Sequence, residues 1–430
     1  MNKAILRLAV PNIIANITIP LLGMCDSAIA GHLSSALYIG AVAVSAVIFN
    51  FIYWNFSFLR LGTGGFTAQA FGKNDEKETV FILLRALLTA FCAAAVLLIC
   101  QSLIFKAAFW FIHASAETQT LTKDYFFIYI WSAPFALAMF AFTGWFTGMQ
   151  NAKAPMYIAI SSNIVNILCS LLFVFAFKMQ IKGIALGSLA AQVFGFVLAV
   201  VIWLKYYGGL KKYISWDFLK AKGAFYSFFK VNRDIFLRSA GIIAVTVFFT
   251  SASAAFGDDY LAANSLLLQF FLFFSYLMDG FAFAAEALSG KYYGAKDYTG
   301  LGKSIRYIFV WGIVLSSVFT VVYAFFTAPV LGLLTDKAEV IAQALHFKYW
   351  AVFVPFAGFA AFLWDGVFVG ITAAKEMRNS MLTAAALFFI LYFWLSPRFG
   401  NNALWFAFIC YLLMRGLMQW FLYSRLKKRF

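Results

Sequence analysis

Apolar stretches follow one another along the chain, separated by short polar connectors. Phe81–Phe105, Ile305–Phe326 and Ala384–Leu395 are long apolar windows with few charges, and a helix needs about 20 such residues to cross a bilayer. The pattern predicts spans at roughly 8–30, 42–71, 80–105, 119–147, 155–177 and 183–206, then 233–256, 262–293, 303–328, 339–370, 380–396 and 402–424. Spans and short connectors fill nearly the whole chain, so no soluble catalytic domain can be cut from it and no low-complexity tail is present. The expected class is an all-α integral membrane protein of about twelve helices. The first helix, after Met1-Asn-Lys, lacks a small-residue cleavage site and is expected to be retained.

The pattern is duplicated. Phe146-Thr-Gly-Met-Gln-Asn-Ala-Lys153 resembles Phe368-Val-Gly-Ile-Thr-Ala-Ala-Lys375, and Phe71-Gly-Lys-Asn-Asp75 resembles Tyr293-Gly-Ala-Lys-Asp297. Both matches fall at an offset of 222 residues (368 − 146 and 293 − 71). Ala185-Leu186 and Ala403-Leu404 match at 218 (403 − 185), so the second copy has a shorter connector. Six spans per half is an even number, which gives the copies the same orientation. Two six-helix lobes are expected, 1–207 and 233–430, related by a pseudo-two-fold along the membrane normal with a cavity near the midplane. Residues 208–232 form a cytoplasmic linker in which Trp216-Asp-Phe-Leu219 reads as an amphipathic turn on the membrane surface.

Charge then orients the chain. The formal net charge is +16, and Lys and Arg cluster in Lys73–Arg85, Lys205–Arg238, Lys291–Arg306, Lys375–Arg378 and Arg425–Arg429. The connectors Gly31–Gly40, Phe256–Leu261 and Arg398–Asn402 hold almost none. This alternation predicts cytoplasmic termini in a bacterial inner membrane, and it directs the basic loops toward anionic lipid rather than nucleic acid. Cys25, Cys92, Cys100, Cys169 and Cys410 lie inside predicted helices without Cys-x-x-Cys spacing, so neither a disulfide nor zinc is implied. His32, His113 and His346 are scattered, and no metal site is expected.

The candidate chemistry begins with Asp26, a carboxylate in the apolar run Pro20-Leu-Leu-Gly-Met-Cys-Asp-Ser-Ala-Ile-Ala-Gly31. Charges at such positions are costly and mark ion or substrate pathways. Pro11 and Pro20 each remove a backbone donor and permit a bend in the same helix. On the fifth helix Asn163, Asn166 and Ser170 share a face, and on the sixth Ser188 and Gln192 do. Asp279, Glu286 and Asp365 form a candidate second site in the C-terminal half. Their alternative reading is structural pairing with Arg60, Arg415 or Lys348. Met24, Phe49, Tyr53, Met139 and Gln192 are candidates for lining a substrate cavity, where aromatic faces attract organic cations.

These residues carry a resemblance. Leu6–Leu33, Leu59-Arg-Leu-Gly-Thr-Gly-Gly-Phe-Thr-Ala-Gln-Ala-Phe-Gly72, Asn232-Arg-Asp-Ile-Phe-Leu-Arg238, Asp279–Gly290 and Asp365–Gly370 followed by Glu376–Ser380 resemble the multidrug and toxic compound extrusion (MATE) transporters, DinF branch. The resemblance covers essentially the whole chain. It implies a two-lobe exporter of the MATE and MOP type that expels cationic or amphipathic organic compounds in exchange for protons or sodium by alternating access. It also implies that Asp26 is the coupling residue, within a polar cluster formed with Asn163, Asn166, Ser170 and Ser188. Some relatives carry a second aspartate at the position of Ser170, so this chain departs from that pattern. A single acid among amides and hydroxyls favours protons, while those oxygens leave sodium open. No prosthetic cofactor is implied, and a monomer is expected. Other readings are a sodium-coupled antiporter of an endogenous metabolite or a lipid-linked precursor flippase of the same superfamily. An enzyme is not expected: Asp258-Asp259, in a short loop, is the one Asp-Asp pair. No Gly-x-x-x-x-Gly-Lys loop points to ATP.

Overall fold

The computed structural model describes residues 1–33, 35, 37–112, 114–220 and 222–428, with only the backbone of Lys222 and Ala224. His113 and Arg429 lie outside the described residues. Twelve helices are long and apolar enough to cross a membrane: α1 Asn2–Gly31, α2 Leu37–Gly72, α3 Glu76–Ile99, α4 Ala116–Gly148, α5 Lys153–Ala176, α6 Gln180–Tyr213, α7 Phe225–Ala255, α8 Asp258–Gly294, α9 Tyr298–Leu334, α10 Lys348–Gly370, α11 Ala374–Phe399 and α12 Asn401–Lys427. They correspond in number and order to the twelve runs read from the sequence, except that the run at 339–370 is broken at Phe347, so that the span starts at Lys348; no strand occurs among the described residues. Shorter helices at Gln101–Phe111 and Ala338–His346 bridge α3 to α4 and α9 to α10.

The duplication is visible in backbone detail. Asn74 and Lys296 both adopt left-handed conformations, with φ of 57° and 58°. Asp75 and Asp297 then cap the next helices, accepting from the Glu78 amide at 2.9 Å and the Gly300 amide at 2.8 Å. A short polar side chain at that position satisfies a helix-start donor that has no partner within the helix. Gln150 and Thr372, again 222 apart, share φ of 62° and 54°.

The closest crossing in each half rests on paired glycines. A Cβ on Gly144 would lie 2.2 Å from the Arg60 carbonyl oxygen, and one on Gly366 would lie 2.1 Å from that of Ala282. One turn on, Gly148 packs over the Gly64 carbonyl and Gly370 over that of Glu286. Every residue in the second contact lies 222 positions after its counterpart (366 − 144, 282 − 60, 370 − 148, 286 − 64). Hence α2 packs on α4 as α8 packs on α10, and the pairs α3–α4 and α5–α6 recur as α9–α10 and α11–α12.

Two compact units emerge, Ile14–Phe228 and Met1–Ile13 with Phe229–Phe430. Both boundaries fall inside helices. The start of α1 belongs with the second half of the chain: Ala9 and Ile13 lie against Gly280 of α8. The start of α7 belongs with the first half, where the buried Phe228 ring lies 5.9 Å from Phe66. In the linker, Trp216–Leu219 forms one 3₁₀ turn whose Phe218 is 5% exposed and whose Trp216 is 76% exposed. Lys220 donates to Asp217 at 2.7 Å and holds that exposed carboxyl below its ordinary range.

Candidate functional site

Helix α1 is helical through both Pro11 and Pro20. Asp26 lies in its second half, and its Oδ1 is shielded from solvent and has no hydrogen-bond partner among the described residues. The carboxylate is near enough to Tyr125 and Tyr129 of α4 for its charge to act on both phenols.

The backbone of α4 explains how those phenols are placed. The helix Ala116–Tyr129 gives way to a 3₁₀ turn at Ile130–Ser132 before resuming at Ala133. Pro134 has no N–H to give the Ile130 carbonyl, so the α-helical bond is lost at that point and the chain tightens to i→i+3 bonding. The break presents Tyr129 and Ser132 together. The Tyr53 hydroxyl lies 2.8 Å from Ser132 Oγ, and the Tyr53 and Tyr129 rings meet edge-on at 6.3 Å.

A second strand of hydrogen bonds joins α4 to α5 and α6. Tyr125 donates to Ser188 Oγ at 3.5 Å, and Asn166 Nδ2 donates to the same oxygen at 3.0 Å. Ser170 Oγ donates to Asn166 Oδ1 at 3.5 Å. Ser170 is fully buried, and a Cβ on Gly187 would come within 2.2 Å of its Oγ, so α5 and α6 meet there with no room for a longer side chain. Asn163 faces elsewhere: its Nδ2 donates to the Thr18 carbonyl of α1 at 3.3 Å, two residues before Pro20. Phe49 backs the cluster, its ring 4.5 Å from Tyr129 and 5.8 Å from Tyr53.

The structure thus links Asn166, Ser170 and Ser188 through Tyr125, sets Phe49 and Tyr53 against Tyr129, leaves Gln192 one turn from Ser188 on α6, and tethers α1 through Asn163. It does not bring Met24 or Met139 there. Met24 is 68% exposed, and Met139 packs with Phe142 and Trp145 in a separate core. Tyr125, Tyr129 and Ser132 were not singled out from the sequence. The available signal was two tyrosines at i, i+4 just ahead of a helix-interrupting proline.

The three acids of the second half have different surroundings. Asp365 accepts from Arg238, from Arg415 at 2.7 Å and from Gln419 at 2.5 Å. Two guanidinium groups occupy the place a mobile cation would take. Asp234 nearby on α7 pairs with Arg378 at 2.7 Å. Glu286 is wholly buried and Asp279 half-buried, both on α8. No cluster of three metal-ligating side chains occurs among the described residues.

A family model for MatE matches residues 11–172 and 226–396. The chain belongs to the MatE family. This is a family of membrane transporters, not of enzymes. The chain is 36% identical to the DNA damage-inducible protein F of Escherichia coli (strain K12), over 97% of this chain and 90% of that one. It is 18% identical to the multidrug export protein MepA of Staphylococcus saprophyticus, over 80% and 75% respectively. Its fold superimposes on the Vibrio cholerae MATE transporter VcmN in the bent form with a TM-score of 0.87 at 17% identity, covering 99% of this chain and 97% of that one. With twelve candidate spans it is a multi-pass transporter of the multidrug efflux type.

Proposed function

We propose that this transporter expels cationic or amphipathic organic compounds from the cytoplasm in exchange for protons, with Asp26 as the proton-carrying residue. The observation that carries the reading is the Asp26 carboxylate, with one oxygen shielded and without a hydrogen-bond partner among the described residues, within reach of the Tyr125 and Tyr129 phenols. A charged carboxylate there is costly and is offset either by a bound cation or by a proton. A cationic substrate and a proton therefore compete for the same group. Binding of one releases the other, and each has a differential affinity for the two charge states, which is the only way a ligand shifts a conformational equilibrium.

Protons are favoured over sodium by how the neighbouring oxygens are used. Sodium needs several oxygen ligands at once, yet Asn166, Ser170, Ser188 and Tyr125 are bonded to one another. Asn163, tied to the Thr18 carbonyl, links α5 to the proline-containing stretch of α1 and is placed to respond when α1 moves. The name of the MepA relative, a multidrug export protein, supports a broad substrate range. The basic clusters support cytoplasmic termini in a bacterial inner membrane, and the two-unit chain is expected to work as a monomer.

The test is uptake of a fluorescent organic cation into proteoliposomes under separately imposed proton and sodium gradients, with wild type, Asp26→Asn and Glu286→Gln. The expected result is proton-driven transport that only Asp26→Asn abolishes. Full proton-driven transport by Asp26→Asn would sink the assignment of the carrier, and transport driven by sodium alone would overturn the choice of ion.

A further inference from the structure

At the end of the second unit where α9 begins and α12 ends, a groove of about 620 Å³ opens between α9, α10 and α12. Its rim is basic: Arg306, Lys427 and Lys428 are all exposed. Its floor is aromatic, with Trp364 stacked 4.8 Å from Tyr423, and Trp420 at the open side. None of its lining residues is acidic. Arg306 also lines a second groove of about 400 Å³ on the other side of α9, with Val310, Trp311 and Val314.

Soluble-protein reasoning does not explain this combination. Three cations line the groove with no carboxylate among its described lining residues, and repulsion among them disfavours the arrangement unless an anion is present. Arg306 lies eight residues into α9, about 12 Å along the helix axis from its start, so its guanidinium works at the level where headgroups meet acyl chains. Aromatic side chains at that depth accommodate the glycerol region.

We propose that this groove is a binding site for an anionic glycerophospholipid of the leaflet that faces the chain termini. The phosphate sits between Arg306, Lys427 and Lys428, and the acyl chains run along the apolar walls on either side of α9. Basic pockets between membrane helices bind lipid phosphates in this manner. A free phosphate compound has no use for the aromatic floor or for the apolar second groove, which commits the site to a lipid.

The experiment is native mass spectrometry of the detergent-solubilised full chain titrated with phosphatidylglycerol, with phosphatidylcholine as the neutral comparison. Wild type is expected to retain phosphatidylglycerol preferentially. Arg306→Gln combined with Lys427→Gln and Lys428→Gln is expected to weaken that binding by about tenfold or more. Arg306→Lys should retain most of it, which separates lost charge from lost fold. Lys211→Gln with Lys212→Gln, on a different basic segment, should leave it unchanged. Equal retention of both lipids by wild type overturns the proposal, as does undiminished binding by the triple variant. An equal loss in the Lys211 and Lys212 variant shows diffuse attraction instead of a site, and displacement by glycerol 3-phosphate shows that the headgroup alone suffices. Either result overturns the proposal too.

Discussion

In the unit of residues 14–228, Asp26 keeps one carboxylate oxygen without a hydrogen-bond partner among the described residues; in the other unit, Asp365 is held by Arg238, Arg415 and Gln419. The two halves share their glycine crossings, left-handed turns and capping aspartates at a constant spacing of 222 residues. Their acids do not follow that spacing. The membrane half of α7 carries no acid, and there Phe248 packs edge-on against Phe388, Phe389, Tyr392 and Phe393. The counterpart of Asp365 is Thr143. Backbone-level features have been retained while the chemistry has separated. In one half the Asp26 Oδ1 has no hydrogen-bond partner among the described residues, and in the other Asp365 fastens α7, α10 and α12.

The largest effect that would break this comparison is on transport. Asp26→Asn should reduce proton-driven transport in proteoliposomes to the level of empty vesicles, with no loss of thermal stability in detergent. Arg415→Met should do the reverse in kind. It breaks a buried pair and should cost about 3–5 kcal/mol of stability, read as a large fall in the melting temperature. A stable Arg415→Met would mean that Asp365 is not a fastening group.

The shared frame makes a symmetric prediction. Gly144→Ala and Gly366→Ala each drive a methyl into a backbone carbonyl and should destabilise by about 1–3 kcal/mol, to similar extents. A large difference between them would show that the crossings are not equivalent. Tyr129→Phe removes a phenol within reach of the Asp26 charge and should slow transport by about threefold to tenfold, far less than Asp26→Asn. Smallest of all, Asp75→Ala and Asp297→Ala should each cost about 1 kcal/mol, measurable as equal shifts in unfolding midpoint.

Most of the architecture was legible because membrane spans announce themselves as long apolar runs and the turn motifs recur nearly intact. The site was legible only in part. Asp26, Asn166, Ser170 and Ser188 stood out as polar groups in apolar helices. Tyr125 and Tyr129 did not, since aromatic residues on a membrane helix read as lipid-facing, and nothing in the hydropathy marks the break that Pro134 makes in α4. Arg415 could be proposed as a partner for the acids of the second half because it is charged and deep in a span. Arg238 could not be paired with Asp365 from the sequence, because 127 residues separate them and no local spacing encodes the contact.

The helix boundaries of the two units bear on how the chain is made. Residues 1–13 are synthesised well before residues 229–430, with which they belong. At the usual ~5–20 residues per second, the first turns of α1 wait roughly ten to forty seconds for their packing surface. The opening segment is thus among the last to find its place, and it carries the helix that bears Asp26 with it.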